Sequence, residues 1–416
     1  MVEFRGIIMS SGVNRHNLCD FSTSLGGKLL IILIILYAAK GVMYPEGTIS
    51  VIISLIEMLI CSWYFFLVLV KKRFSNVSLF LSIICLIILF SYLISPKSIY
   101  GNILGNISTF AFFRSFCGAV LPFFPFYYLS SSGKLNMEDL KKMGIVLFFL
   151  SILYFFYSIN VVIVEEGSSN YTINAAYKFL YITPLLSLIR KKWLFISMFS
   201  ILFSLTILGS KRGAIIGMII QLSIYFYYLF KDSNHKLFIS LIIIILVILF
   251  SIGIYDFYQS DVFFQQRVEA TLEGSTSGRD KLISNLISHL NAKSIFNLIF
   301  GSGFIATVKA IGNYAHNDWM EILYDFGIIG LISYLLFFVF SFYKISAKTL
   351  PFRLSYTMGV NAIFFSSFFS MAFFSEATYP VFIVMGSVLG YSKYMEKSLI
   401  YPRRKLWFNK NISIYK

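Results

Sequence analysis

Charge is scarce in this chain. Asp, Glu, Lys and Arg make up 13% of its 416 residues, where a soluble domain of this size carries about 25%. Hydrophobic residues make up 58%, more Ile, Leu and Phe than a water-soluble fold can hide. Acids are rarer than bases, 19 against 35, for a net charge of +16. Cysteine is rare too: Cys61, Cys85 and Cys117 lie inside apolar runs, Cys19 does not, and none forms a C-x-x-C pair. That excludes a disulfide framework and a zinc site. A Gly-rich phosphate loop, an H-E-x-x-H helix and an Asp-x-Asp pair are all missing, so nucleotide-sugar or ATP chemistry lacks its usual equipment. Internal repeats, low-complexity stretches and a separate soluble domain are also absent.

What is present is a series of apolar runs of about 17–25 residues, the length that spans a bilayer. They fall near Leu29–Tyr44, Thr48–Val70, Val77–Ser95, Ile107–Leu129, Met143–Val164, Ala176–Ile189, Trp193–Leu208, Gly213–Phe230, Leu237–Tyr258, Asp318–Tyr343, Leu354–Phe374 and Tyr379–Tyr391. The expected fold is an all-α polytopic membrane protein of about twelve spans. The sixth, seventh and twelfth are short, and the first contains Lys40. The first run begins behind an ordinary polar stretch, so it reads as a retained span and not a cleaved signal.

The basic residues cluster between spans. Lys71–Arg73, Lys134 with Lys141 and Lys142, Arg190–Lys192, Lys231 with Lys236, Lys344 with Lys348 and Arg353, and Arg403–Lys405 fall on alternate connections. The intervening short segments, Tyr44–Gly47, Glu165–Thr172 and Ser375–Thr378, are acidic or neutral. Positive connections face the cytoplasm. The expected division is a cytoplasmic tail at 1–28, nine spans over 29–258, a periplasmic loop at 259–317, three spans over 318–391 and a basic cytoplasmic tail at 392–416. This pattern also explains the positive charge without nucleic acid. The 259–317 loop breaks the symmetry, being long and polar. Within it Ser277–Leu290 has helical spacing, with Ser277 and Asp280 placed as a capping box. Leu282, Ile283, Leu286, Ile287 and Leu290 form one apolar face, to lie on the membrane surface or pack on the span ends.

Three groups of polar residues sit at the outer ends of spans. The first is the tight turn Gly209-Ser210-Lys211-Arg212-Gly213, with two cations on the side the orientation rule disfavours. They read as a snorkelling pair or as an anion site ahead of a helix N-terminus. The second is Arg279 in Ser277-Gly278-Arg279-Asp280. The third is the run from Tyr314 through His316-Asn317-Asp318-Trp319 to Leu331, entering the tenth span. Asp318, Glu321 and Asp325 share one face of that helix. A carboxylate inside a span costs roughly 2.5–3.5 kcal/mol and normally finds a partner or a wet cavity. Arg114, in the middle of the fourth span, is under the same pressure. Glu321, Asp325 and Glu57 are its natural candidate partners.

The G-S-K-R-G turn, the S-G-R of the loop, Gly301-Ser302-Gly303 and the block H-N-D-W-M-E-I-L-Y-D-F-G-I-I-G-L together resemble the O-antigen polymerase and ligase superfamily, over about Leu202–Tyr334. Lys211 stands where the family turn more often reads Ser-Arg, and Leu282 and Ile283 follow where a Trp is common. The resemblance implies a glycosyltransferase of the bacterial inner membrane that needs no cofactor and no metal. Its donor would be a glycan on undecaprenyl diphosphate and its acceptor the hydroxyl of another lipid-linked repeat unit, with inversion at the anomeric carbon. Arg212 and Arg279, with Lys211 second, would hold the diphosphate. His316 would serve as base or acceptor-positioning residue, supported by Asn317, Asp318, Glu321, Asp325 and Arg114. The implied partners are lipid-linked repeats, the bilayer, a chain-length regulator and a flippase. The alternatives are the ligase of the same superfamily, a flippase for the lipid-linked repeat, and a secondary transporter with the acidic stripe as a cation path.

Overall fold

The computed structural model describes residues 22–43, 47–95, 99–100, 107–166, 173–272, 278–347 and 350–412. Most of the N-terminal tail, Cys19, Ser277 and parts of the Tyr44–Gly47 and Glu165–Thr172 segments lie outside the described residues. The fold is helical. The described β structure is a two-residue antiparallel pairing of Ile99–Tyr100 with Ile107–Ser108. In chain order the helices are α1 (Leu25–Met43), α2 (Thr48–Val70), α3 (Asn76–Ile94), α4 (Thr109–Val120), α5 (Phe123–Ser131), α6 (Met137–Glu166), α7 (Ala176–Leu186), α8 (Lys192–Leu208), α9 (Arg212–Lys231) and α10 (Lys236–Ser260). After these come α11 (Val262–Leu272), α12 (Arg279–Asn291), α13 (Ile295–Phe300), α14 (Ala306–Ile311), α15 (Asp318–Ser346), α16 (Arg353–Phe369) and α17 (Tyr379–Ile412).

Among the described residues, eight helical stretches are long and apolar enough to cross a bilayer: α1, α2, α3, α4 with α5, α6, α9, most of α10, and α15. The expected fourth span is two helices, interrupted at Leu121 and Pro122. The expected sixth is the 11-residue α7, about 16 Å at 1.5 Å per residue. Its Phe179, Tyr181, Leu185 and Leu186 are buried. The expected twelfth span continues as one helix to Ile412, through most of the expected tail.

The two ends of the bundle are chemically distinct. At one end Ser24 N–H donates to the Lys134 carbonyl, Arg73 to Ser132 Oγ at 2.8 Å, and Lys393 to the Phe74 carbonyl at 3.0 Å. Arg190 lies 3.8 Å from Glu138, and Lys344 3.7 Å from Glu396. This end collects the basic connections. At the other end Ile173 N–H donates to the Gly209 carbonyl, Phe304 N–H to Ser95 Oγ at 2.9 Å, and Lys40 to Glu376 at 3.2 Å. The 209–213 turn and the 278–317 segment belong here.

Close packing explains two glycine positions. Without a hydrophobic drive between helices in lipid, small residues let backbones approach and gain dispersion contact. Gly386 and Gly390 lie one turn apart on α17, against the Phe123 and Tyr127 carbonyls of α5. A Cβ at Gly390 would stand 2.9 Å from the Ser130 Cβ. The α5–α17 contact is thereby buried, with Phe123, Phe126, Tyr127, Phe382 and Met385 inside it.

The 259–317 segment is not an irregular loop. It holds α11 to α14. The helix expected over Ser277–Leu290 runs Arg279–Asn291, and its cap position is Gly278, in the left-handed region at φ +81°, with no side-chain cap. Part of its apolar face packs on the span ends, one of the two expected seats. Leu286 is fully buried with Ala306, Ala315 and Tyr324, and Leu290 packs against the same small core. Ile287 remains exposed.

Candidate functional site

Helix α15 supplies the frame. It has a non-helical residue, Gly327, at φ +68° and ψ −167°. The break frees carbonyls one turn earlier, and Ser302 and Gly303 N–H donate to the Tyr324 and Asp325 carbonyls at 3.1 and 3.0 Å. The crossing is tight on both sides. A Cβ at Gly301 would meet the Asp325 backbone, and one at Gly327 would meet the Ile299 and Gly301 backbone. This is why Gly301 and Gly327 are glycine: one strained backbone dovetails into the other.

The acidic face of α15 is buried and occupied. Asp318 Oδ2 accepts from Tyr334 Oη at 3.1 Å and Phe373 N at 3.0 Å. Its other oxygen has no partner. Glu321 Oε1 accepts the His316 N–H at 3.2 Å. Asp325 Oδ1 accepts from Thr307 N and Oγ1 at 2.7 and 2.8 Å, anchoring α14. Asn317 caps α15, taking the Met320 N–H at 3.1 Å. The cap is therefore Asn317 alone, and Asp318 ties the helix start to the 372–374 turn. Three carboxylates with dedicated donors form a scaffold at the start of α15. Lys293 joins them from outside the spans: it donates to the Tyr324 carbonyl at 3.1 Å and lies 3.0 Å from the ring centre. Burial pushes its ammonium down to about 8, with Asp325 opposing.

This scaffold presents His316. Its φ of +52° puts a non-glycine residue in the left-handed region, a conformation that costs about 1–3 kcal/mol and clusters at functional sites. The bond from its own N–H to Glu321 helps to hold it there. The imidazole is half-buried, and Tyr314 packs beside it with ring centres 6.0 Å apart. Burial lowers the His316 pKa below its usual 6.5, and the charges of Arg279 and Lys211 push it further down. The imidazole is thus neutral at neutral pH and able to accept a proton.

The same electrostatics shows which residues the fold gathers. Arg279, at the start of α12, acts on His316, on Tyr177 and on Arg212. Its guanidinium lies beside the Tyr177 hydroxyl. Tyr177 stands in the first turn of α7 and packs against Gly213, where any larger residue would strike its hydroxyl. Residues more than a hundred positions apart, Lys211, Arg212, Arg279 and His316, therefore converge at one end of the bundle, all half-buried. Tyr177 was missed in the sequence. A Tyr at the start of a short apolar run carries no signal until Gly213 and Arg279 are seen against it.

Arg114 is not part of this cluster. It lines a separate cavity with Lys40, Lys178 and Glu376, while Glu321 and Asp325 are taken up by backbone and Thr307. Glu57 instead accepts from Cys61 Sγ at 3.2 Å. Arg114 Nε is buried without a hydrogen-bond partner. Among the described residues no group of three or more His, Cys, Asp or Glu could hold a metal ion.

No curated protein matches the chain. Residues 196–335 match the family model described as O-Antigen ligase, a stretch that contains the 209–213 turn, α12, His316 and the broken helix α15. Over that stretch, about a third of its length, the chain is similar to the O-antigen ligase family, and the similarity lies within a protein whose described residues include eight helices long and apolar enough to cross a membrane.

Proposed function

We propose that this protein is an O-antigen or capsular polysaccharide polymerase of the bacterial inner membrane, a twelve-span inverting glycosyltransferase working at the periplasmic face. The observation that carries the reading is the convergence of Arg212, Arg279 and a neutral His316 at the end of the bundle away from the basic connections. The donor glycan hangs on undecaprenyl diphosphate. The acceptor hydroxyl oxygen bonds to the anomeric carbon as the bond from that carbon to the phosphate oxygen breaks. The electron pair leaves with the lipid diphosphate, and the hydroxyl proton passes to His316. Charge grows on the leaving group. Two guanidinium forks, with Lys211 beside them, stabilise it where a metal would otherwise serve. His316 supplies general-base catalysis. The lipid substrate explains why the enzyme is built into the bilayer. A chain-length regulator and a flippase are its expected partners.

Ligation of finished polymer to an acceptor on lipid A is the second reading, because the family match takes its description from that reaction. Nothing in the match or the fold favours a flippase. A deletion strain separates the readings. Lipopolysaccharide capped with a single repeat supports polymerase. Long polymer stranded on undecaprenyl diphosphate identifies a ligase and overturns it. A cytoplasm-only reporter fused at Gly301 should stay dark; a signal there overturns the orientation.

A further inference from the structure

The second cavity, about 230 Å³, lies at the same end of the bundle. It takes its walls from α1, α2, α4, α6 and α7 and from the turn carrying Glu376. Three cations line it, Lys40, Arg114 and Lys178, against one carboxylate, Glu376. Lys40 is satisfied: it donates to Glu376 Oε2 at 3.2 Å and to Ser54 Oγ at 2.6 Å. Glu376 acts on Lys178 only through space, across the cavity. Among the described residues neither Arg114 nor Lys178 enters an ion pair. Arg114 Nε is buried with no acceptor, and Lys178 lies 3.0 Å from the centre of the Tyr154 ring. Glu57 acts on Lys40 from a distance, but its carboxylate is turned to Cys61. An excess of positive charge between apolar helices is costly, and an ionisable residue at such depth marks a binding site or a pathway.

The position of Lys178 relates this cavity to the candidate active site. Tyr177 contacts the Arg212 and Arg279 cluster, and Lys178 is the next residue. Consecutive Cα atoms are about 3.8 Å apart and their side chains leave a helix about 100° apart. The two cationic sites therefore flank the first turn of α7, at one depth. Tyr37, Tyr154, Tyr157 and Tyr379 also line the cavity; Lys40 and Lys178 cover the Tyr37 and Tyr154 rings, which leaves Tyr157 and Tyr379 as aromatic walls for a sugar, while Glu376 is an acceptor for sugar hydroxyls.

We propose that this cavity binds the diphosphate and first sugar of the second lipid-linked glycan, the acceptor, through Arg114 and Lys178, beside the donor held at Arg212 and Arg279. The proposal rests on the reading of a two-lipid glycosyl transfer. It gives the anion its charges, the sugar its aromatic walls, and both lipid tails the same level in the bilayer. Lys40 and Glu376 close the wall between α1, α2 and the 376–378 turn.

Native mass spectrometry of the purified full-length protein tests it, with farnesyl diphosphate as the probe. Wild type should bind two molecules, Arg212→Ala/Arg279→Ala one, Arg114→Gln/Lys178→Gln one, and the fourfold variant none. The second molecule should bind at least tenfold more weakly in Arg114→Gln/Lys178→Gln. The charge-keeping pair Arg114→Lys/Lys178→Arg should retain it, which separates loss of charge from collapse of the cavity. Unchanged stoichiometry in Arg114→Gln/Lys178→Gln overturns the proposal. So does equal occupancy by inorganic diphosphate, which marks a free-anion site, or by phosphatidylglycerol, which marks a general phospholipid site. If Arg212→Ala/Arg279→Ala alone keeps both molecules, the donor assignment fails and the acceptor site stands.

Discussion

The acidic face of α15 and the cationic cluster opposite it look alike in the sequence, as polar residues near the outer ends of spans. The structure gives them opposite characters. Asp318, Glu321 and Asp325 are buried, and each accepts hydrogen bonds from named donors in other segments. Lys211, Arg212, Arg279 and His316 are half-buried and carry like charge or a neutral base. Buried and bonded groups hold shape, because removing one strands its partner. Half-buried like charges hold little shape and are poised for an anion. The same helix end therefore contains a scaffold and the surface proposed to react.

Substitutions should separate the two. The largest effect is expected at His316. His316→Ala should insert and accumulate normally yet lose about 10²–10⁴ in transfer rate, leaving no polymer ladder. A purified His316→Ala enzyme that extends synthetic lipid-linked repeats at the wild-type rate would remove its role as base. Next come Arg212→Lys and Arg279→Lys. Charge stays but the bidentate fork is lost, and hydrogen bonds of charged groups are worth about 1.5–3 kcal/mol. Each variant should slow transfer by roughly 10–150-fold at constant protein level, by the same relation. Full ladders in both would mean that positive charge alone suffices.

The scaffold should fail in the other sense. Asp318→Ala leaves the Phe373 N–H and Tyr334 hydroxyl without an acceptor and should cost about 1–3 kcal/mol of stability. Abundance and thermal midpoint should fall while each surviving molecule keeps most of its activity. A stable Asp318→Ala protein with no activity would instead place Asp318 among the reacting groups. Gly327→Ala should destabilise similarly, since it forces φ +68° on a residue with a Cβ that meets the Ile299 backbone.

The smallest effect is a shift in pH dependence. Lys211 helps to hold the His316 pKa below 6.5. With Lys211→Gln that push is removed, the pKa rises, and less neutral imidazole remains at a given acid pH. The acid limb of the rate profile should move to higher pH with the plateau above neutrality preserved. An unmoved limb would show that Lys211 does not act through His316.

The sequence by itself determined that the chain lives in a bilayer, because no aqueous fold hides so many apolar residues. It also determined which connections are basic, and which local motifs lie at span ends, since charge alternation and the H-N-D-W block are read along the chain. The helical face in the loop was legible too, through the spacing of Leu282, Leu286 and Leu290. Partners were not legible. Arg114 faces Lys40, Lys178 and Glu376, the Arg279 helix rests on Ala306 and Tyr324, and Tyr177 meets Arg212 and Arg279. Each of these contacts depends on how spans distant in sequence rotate against one another. In lipid that rotation is decided by small residues such as Gly386 and Gly390 and by individual hydrogen bonds. The apolar pattern specifies that a helix crosses the membrane, but it is too uniform around each helix to specify which face turns inward.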